Sequence, residues 1–300
     1  MRVTDQMMFE LSARSASQAR TRVAHGMQDV STGLRVIHPG DDPGVAGLLV
    51  QSNVLQDRFE AIGTAAGFAD SELTVADTAA QGASNALVRF RELAMQLVNP
   101  IYTASQRATA ASEAEQIFSQ VISHLNTRLG DRYVFGGNRD GTAPFDATGN
   151  YLGDTAIRKV EVAPGVLAAA SVRADVALKG VDPTTGALTG VDVLATMQAL
   201  SAALRANDVV AIRATLDPLD TALSQVSALR GQIGDAQNAM TAAVSTSKAA
   251  LSDERIRASA LGDIDITAAA TSLAEAQQAL QASLAASAGS LRLTLLDYLR

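Results

Sequence analysis

The sequence predicts a mainly α fold: an elongated antiparallel coiled-coil or helical-bundle rod, with paired terminal helices and a small inserted β-rich domain. Three observations predict it. Apolar residues recur at alternating gaps of four and three over two long stretches, Leu55 to Leu97 and Val226 to Ala243. The 300-residue chain is 47% hydrophobic but only 4% aromatic, with no tryptophan, which suits alanine and leucine seams better than one thick globular core. Glycine and proline concentrate between Asp131 and Gly190, where the helical period stops.

The first helix is expected from about Thr4 to Leu34. Val3, Met7 and Leu11 open an apolar stripe. Val23, Met27, Val30, Leu34 and Ile37 continue it at coiled-coil spacing, with Arg14, Arg20 and Arg22 off the seam. Gly26 and Gly33 weaken this helix locally. Pro39-Gly40 turns the chain, and Asp42 is placed to cap the next helix with Pro43 at its first position.

The second helix, Pro43 to Val98, holds its seam from Leu55 through Phe59, Ile62, Leu73, Leu87 and Phe90 to Leu97. At 1.5 Å per residue it would be roughly 80 Å long. Asn99-Pro100 ends it. Thr103 or Ser105 can cap a third helix, with Phe118, Ile122, Leu125 and Leu129 inside and Gly130 as its stop. Between Asp131 and Gly190, short runs at 132–135, 157–162 and 166–176 read as strands between breakers. Helical periodicity returns at Asp192, first in a short helix marked by Leu194, Met197, Leu200 and Leu204. Asn207 or Asp208 caps another. Asp217-Pro218 then starts a long helix that ends near Leu261-Gly262. Asp265 or Thr267 caps the last one.

That last helix has an unusual surface. Leu273, Leu280, Leu284, Leu291, Leu295 and Tyr298 line one face, yet from Thr267 to Ser290 the only formal charge is Glu275. A helix with a wet face normally carries charges there. Small uncharged flanks let other backbones approach, so this helix is expected to be covered by protein from outside its own monomer. The expected assembly interface is therefore Val23, Met27, Val30 and Leu34 on the first helix, with Leu273, Leu280, Leu284, Leu291, Leu295 and Tyr298 on the last. Alone, such ends should be largely disordered and fold on binding. The expected domains are residues 1–40 with 264–300 (terminal helical), 41–130 with 192–263 (helical rod), and 131–191 (β-rich insertion). The simplest packing sets the first helix against the last and the 43–98 helix antiparallel to the 218–261 helix.

Composition limits the partners. Net charge is −7, and the basic residues form no stripe, which argues against nucleic acid. No run is apolar enough to span a bilayer. The absence of cysteine rules out disulfides and thiolate metal sites. No apolar segment of a secretory signal follows Met1-Arg2-Val3-Thr4.

Nor does the sequence carry a catalytic constellation. His25, His38 and His124 are far apart, no metal-spaced carboxylate cluster exists, and no serine sits in a nucleophile elbow. Asp41-Asp42 is explained by capping. Gly136-Gly137 lacks the strand–helix context of a dinucleotide site and reads as a turn. No cofactor or metal is expected, and no enzyme activity.

Five stretches together resemble the bacterial flagellin superfamily. Ser31 to Ile37 with Asp41-Asp42-Pro43 is similar to its N-terminal motif. Leu229 to Asn238 resembles the start of its C-terminal region, and Asp263-Ile264-Asp265 followed by 273–283 resembles the entry to its terminal helix. Arg132-Tyr133-Val134-Phe135-Gly136-Gly137-Asn138 and Ala143-Pro144-Phe145 are closer to the superfamily's hook-associated junction branch than to the filament subunit, as is Met1-Arg2-Val3-Thr4 with Met7-Met8. The match covers roughly residues 1–146 and 218–300.

The resemblance implies a structural adaptor joining the hook-associated ring to the filament, with a short bulk flagellin as the alternative. It implies partners: further copies in a ring or tube, the preceding hook-associated protein, flagellin, and a cytoplasmic export chaperone. It also implies unfolded export without a cleaved signal peptide, and an extracellular place in the flagellum with the terminal helices toward the inner tube. Two other classes remain open at this point. One is an enzyme or ligand-binding module in the 131–190 insertion, which would need a convergent polar pocket. The other is a cytoplasmic coiled-coil scaffold, decided by where the protein accumulates.

Overall fold

The computed structural model describes residues 2–298, with side-chain surroundings for Met7 and residues 10–288. Eight helices and four short strands run in the order α1 (Arg2–Thr32), α2 (Pro43–Leu97), α3 (Ala104–Leu125), β1 (Arg128–Leu129), β2 (Arg132–Tyr133), β3 (Lys159–Ala163), β4 (Val166–Ala169), α4 (Ala174–Lys179), α5 (Val193–Arg205), α6 (Val209–Ala214), α7 (Leu216–Gly262) and α8 (Ile266–Tyr298). No helix among the described residues is long and apolar enough to cross a membrane. The chain divides into two compact units, residues 1–57 with 251–300 and residues 58–250.

The 58–250 unit holds the hydrophobic core. Leu73, Leu87, Phe90 and Leu97 of α2, Val121 and Leu125 of α3, Leu194, Met197, Leu200 and Leu204 of α5, and Leu219, Val226, Ile233 and Met240 of α7 are all buried in one cluster. Their spacing is the four–three alternation read from the sequence, so the seams are intramolecular here. Within this unit α2 and α7 run antiparallel. Arg230 Nε donates to Asp77 at 3.0 Å, and Arg91 bonds Asp220 further along.

Gly82 makes room for a close crossing. A Cβ there would stand 2.6–2.8 Å from the His124 imidazole of α3.

Arg107 of α3 is the least expected core residue, only 3% exposed. Its Nε donates to the Leu97 carbonyl at 2.9 Å, Nη2 to the Asn99 carbonyl at 2.9 Å, and Nη1 to Asn207 Oδ1 at 2.7 Å. The first two acceptors lie at the C-terminus of α2, where unpaired carbonyls and the helix dipole favour a cation. Asn207 is the one non-glycine residue with positive φ (55°) among the described residues, a conformation asparagine tolerates in turns.

The β-rich stretch forms two separate antiparallel hairpins, β1–β2 and β3–β4. The alternation at 166–176 predicts a strand throughout. Instead β4 stops at Ala169 and α4 begins at Ala174, closed by Gly180 in the left-handed region. Burial explains the change of period: Ala174, Asp175 and Leu178 turn inward at helical spacing.

Caps fall where the sequence puts acceptors. Asp42 accepts from Val45 N (3.1 Å), Asp208 from Val210 N and Ala211 N, and Asp265 from Thr267 N and Ala268 N. Thr103 and Gln106 form a reciprocal capping box. Gly33 does more than weaken α1. At φ +71 it ends the helix just after Thr32, its N–H donating to the Asp29 carbonyl at 2.9 Å.

Candidate assembly interface

Within the unit of residues 1–57 and 251–300, the glycine stop at 33 sets up a clasp. Leu34 and Asp263 form an antiparallel bridge, and Ile264 N donates to the Gly33 carbonyl at 2.9 Å. Arg35 ties off α7: its backbone N–H donates to the Gly262 carbonyl at 2.6 Å and its guanidinium to the Leu261 carbonyl at 2.9 Å. A cation at a helix C-terminus is favourable. Asp41 accepts from the backbone N–H groups of Ile37 and His38, which holds its carboxyl below the usual range. The Ser31–Asp42 stretch, read above as a break, a cap and part of the superfamily's N-terminal motif, is the structural joint of this unit. Its hydrogen-bonding residues were visible in the sequence, but their partners near residue 262 were not.

Beyond the clasp, α1 lies antiparallel against α8. The contact face of α1 is Ala16, Ala19, Val23, Gly26, Val30 and Gly33, all buried or half-buried, and that of α8 is Ala269, Leu273, Ala276, Leu280, Ser283 and Ser287. Gaps of four and three run through both. A Cβ on Gly26 would meet Leu273 Cδ1 at 3.3 Å and its Cα at 3.6 Å, so the backbones approach closely there.

This seam differs by one position from the expected one. Val23, Val30, Leu273 and Leu280 lie in or beside it, half-buried. Met27 (52% exposed), Leu34 and Leu284 do not; they face out. Leu291, Leu295 and Tyr298 lie outside the residues whose side chains are described. Met7 and Leu11, noted only as the start of a stripe, are exposed as well.

The consequence is a unit almost without a core of its own. Its buried apolar residues, among those described, are Ala19, Val36 and Ala269. Half of the large apolar residues that stand exposed among the described residues belong to this smaller unit. Near the clasp, Leu48, Leu55 and Leu261 wall a groove of about 420 Å³. Its floor is Glu254, held by the Ser52 hydroxyl, which lies 2.9 Å from the carboxylate. Among the described residues no cluster of histidine and carboxylate groups could hold a metal ion.

Family models match this arrangement at both ends. Residues 3–140 match the bacterial flagellin N-terminal helical region, and residues 216–299 match the C-terminal helical region. The chain belongs to the bacterial flagellin superfamily. Flagellar hook-associated protein 3 of Escherichia coli (strain K12) is 25% identical, with 94% of this chain and 95% of that protein aligned. The protein of the same name from Salmonella typhimurium gives the same figures. Among solved structures, a flagellar hook-associated protein from Vibrio parahaemolyticus superposes with a TM-score of 0.64 at 19% identity, over 74% of this chain and 99% of that one. FlgL of Bacillus cereus superposes at 0.54 and 23% identity, over 71% and 97%. These superpositions bear on the fold. The first match takes in α1 to β2 and the second α7 and α8, while residues 141–215, which hold β3, β4 and α4 to α6, lie outside both models.

Proposed function

We infer that this chain is the adaptor joining flagellar hook to filament, and that it assembles through the helical ends whose large apolar residues face outward. The observation that carries the reading is the contrast between the units. One is closed around leucine and phenylalanine. The other buries Ala19, Val36 and Ala269 and leaves Met7, Leu11, Met27, Leu34 and Leu284 exposed. A surface like that is covered in the working state, and burial of those side chains drives subunit association. The unlike partner on each side is what distinguishes an adaptor from a filament subunit. The support for the adaptor is the alignment along nearly the whole chain with hook-associated protein 3 of two organisms.

The interface is Met27, Leu34, Leu284, Leu291, Leu295 and Tyr298, joined by Met7 and Leu11, while Val23, Val30, Leu273 and Leu280 set its position from the seam between α1 and α8. Its partners are further copies of this chain, the preceding hook-associated protein on one side and flagellin on the other. A cytoplasmic chaperone keeps the ends covered before export, and the working location is the flagellum, outside the cell. The role is structural and uses no catalytic centre or cofactor. Fluorescent labelling of the protein on intact cells beside a hook marker tests this. One focus at the distal end of each hook is expected. Label along the whole filament would mean a bulk flagellin, and label confined to the cytoplasm a scaffold of another kind.

A further inference from the structure

The groove beside the clasp lies wholly within the unit of residues 1–57 and 251–300, lined by α2 and α7. Leu49 lies over Gly262, and the Ser52 hydroxyl bonds Glu254, so the two helices run in opposite directions there. Leu48 and Leu261 therefore wall one end, and Leu55 and Glu254 lie at the other. Glu254 is 9% exposed. Besides the Ser52 hydroxyl, its charge partner among the described residues is Arg257, 3.5 Å away, with a side chain 68% exposed. An ion pair that exposed contributes little, and a carboxylate has room for further donors. An occupant that filled the groove with apolar atoms alone would strip the remaining water from this carboxylate, which is costly unless a cation comes with it. The groove therefore calls for a cation carried on the same face as an apolar side chain.

α1 carries that combination. Arg20 and Met27 are seven residues apart, which sets them within about 20° on one face and about 10.5 Å apart along the axis. Glu254 and Leu261 have the same spacing on α7, and so do Leu48 and Leu55 on α2. Arg20 is exposed and makes no ion pair among the described residues. Arg22, two residues on, projects from nearly the opposite side of the helix. In the monomer both surfaces are open, with Met27 52% and Leu48 51% exposed. The complement of each is therefore on another copy.

We propose that α1 of one copy lies in the α2–α7 groove of the next, with Met27 between Leu48 and Leu261 and Arg20 on the Glu254 carboxylate. This rests on the adaptor reading and deepens it, by naming the surface that receives the outward face of α1. Stripe and groove are different surfaces, so each copy gives one and receives one. That is the head-to-tail contact from which rings and tubes are built.

The chain has no cysteine, so single-cysteine variants of the full chain report the contact directly. Met27→Cys is mixed with Leu48→Cys under mild oxidation, and a size tag on one distinguishes the mixed disulfide dimer from either homodimer. The mixed dimer is expected to form faster than the one between Met27→Cys and Ile256→Cys, a position that is exposed but does not line the groove. Arg20→Glu in the Met27→Cys chain should slow it about tenfold, by setting like charges together, and Arg22→Glu should leave it unchanged. Equal rates with Leu48→Cys and Ile256→Cys, no effect of Arg20→Glu, or an equal effect of Arg22→Glu would each overturn the proposal. Its failure is separable from that of the adaptor reading. Foci at the hook tips with no preferred cross-link would remove this contact and leave the adaptor. A preferred cross-link with label along the whole filament would keep the contact and remove the adaptor.

Discussion

Met27→Asp separates the interior of the molecule from the surface it offers to others. Met27 sits one position round α1 from Gly26, and Gly26 is the point of closest approach to Leu273. The methionine itself is 52% exposed. Full burial of such a side chain is worth about 1.5–3 kcal/mol. With half of the residue still in water, the substitution should cost the isolated chain about 1 kcal/mol. In the assembly the other half is forfeited too, about 1 kcal/mol more. The larger effect is the carboxylate, because an unpaired charge taken out of water costs several kcal/mol. A loss of about 4 kcal/mol per contact weakens association roughly a thousandfold, at 1.4 kcal/mol for each tenfold. Two measurements are needed. Thermal unfolding of the purified monomer should shift little, because the melting core lies at residues 66–243. Hooks from cells carrying the variant should lack filaments in electron micrographs. Filaments attached at the normal frequency would refute the argument. So would a monomer that melts much earlier, since Met27 would then be serving its own molecule.

Three other perturbations follow from the same structure. Limited proteolysis of the monomer should remove roughly the first 40 and last 35 residues before the rest, because local opening is cheapest where buried apolar contacts are few; uniform resistance of the whole chain would contradict this. Arg107→Met leaves the Leu97 and Asn99 carbonyls without their donor and should lower stability in urea unfolding by about 3 kcal/mol, whereas a loss under about 1 kcal/mol would show that water fills the site. Asp146 is held down at about 2 by hydrogen bonds from Thr148 and Asn150. Its folded value lies below its unfolded one, so its contribution is complete above about pH 4 and is lost as pH falls through about 2. A carboxyl ¹³C titration midpoint at or above the usual aspartate value would refute it.

The helices of the 58–250 unit were legible because their seams are long and the side chains in them are large. Leu73, Leu87, Phe90, Val226, Ile233 and Met240 could serve no other purpose at that spacing. Caps were legible where one residue does the work, as at Asp42, Thr103 and Asp265, but the stop expected at Gly130 was not: α3 ends at Leu125, and Arg128–Leu129 pair as a strand instead of adding a helical turn. Arg107 was not legible. Its acceptors are main-chain carbonyls and an asparagine 100 residues away, and nothing in the local sequence marks an arginine as interior. The strand expected at 166–176 failed for a related reason. Four consecutive β positions and a helical turn are both too short for periodicity to decide, and Ala174 and Leu178 fit either period until the core on one side is known.

The terminal helices show a subtler limit. Two seams overlap on α1, and both have coiled-coil spacing. One, 23–27–30–34, takes the largest apolar residues; the other, 23–26–30–33, takes Gly26 and Gly33 in their place. Sequence logic prefers the first, because large side chains bury more surface. The fold uses the second, because small residues let the helices lie close, as Gly26 does on Leu273. α8 makes the same choice, with Ala276 and Ser283 inward and Leu284 outward. Alanine, glycine and serine bury little area, so such a pair is weakly held by its own contact. The leucines and methionines that would have strengthened it face out, where only another molecule can cover them. A monomer designed for solitary stability would reverse the two seams, but exchanging Gly26 with Met27 alone does not achieve that, because a side chain at 26 would run into Leu273 across the close approach.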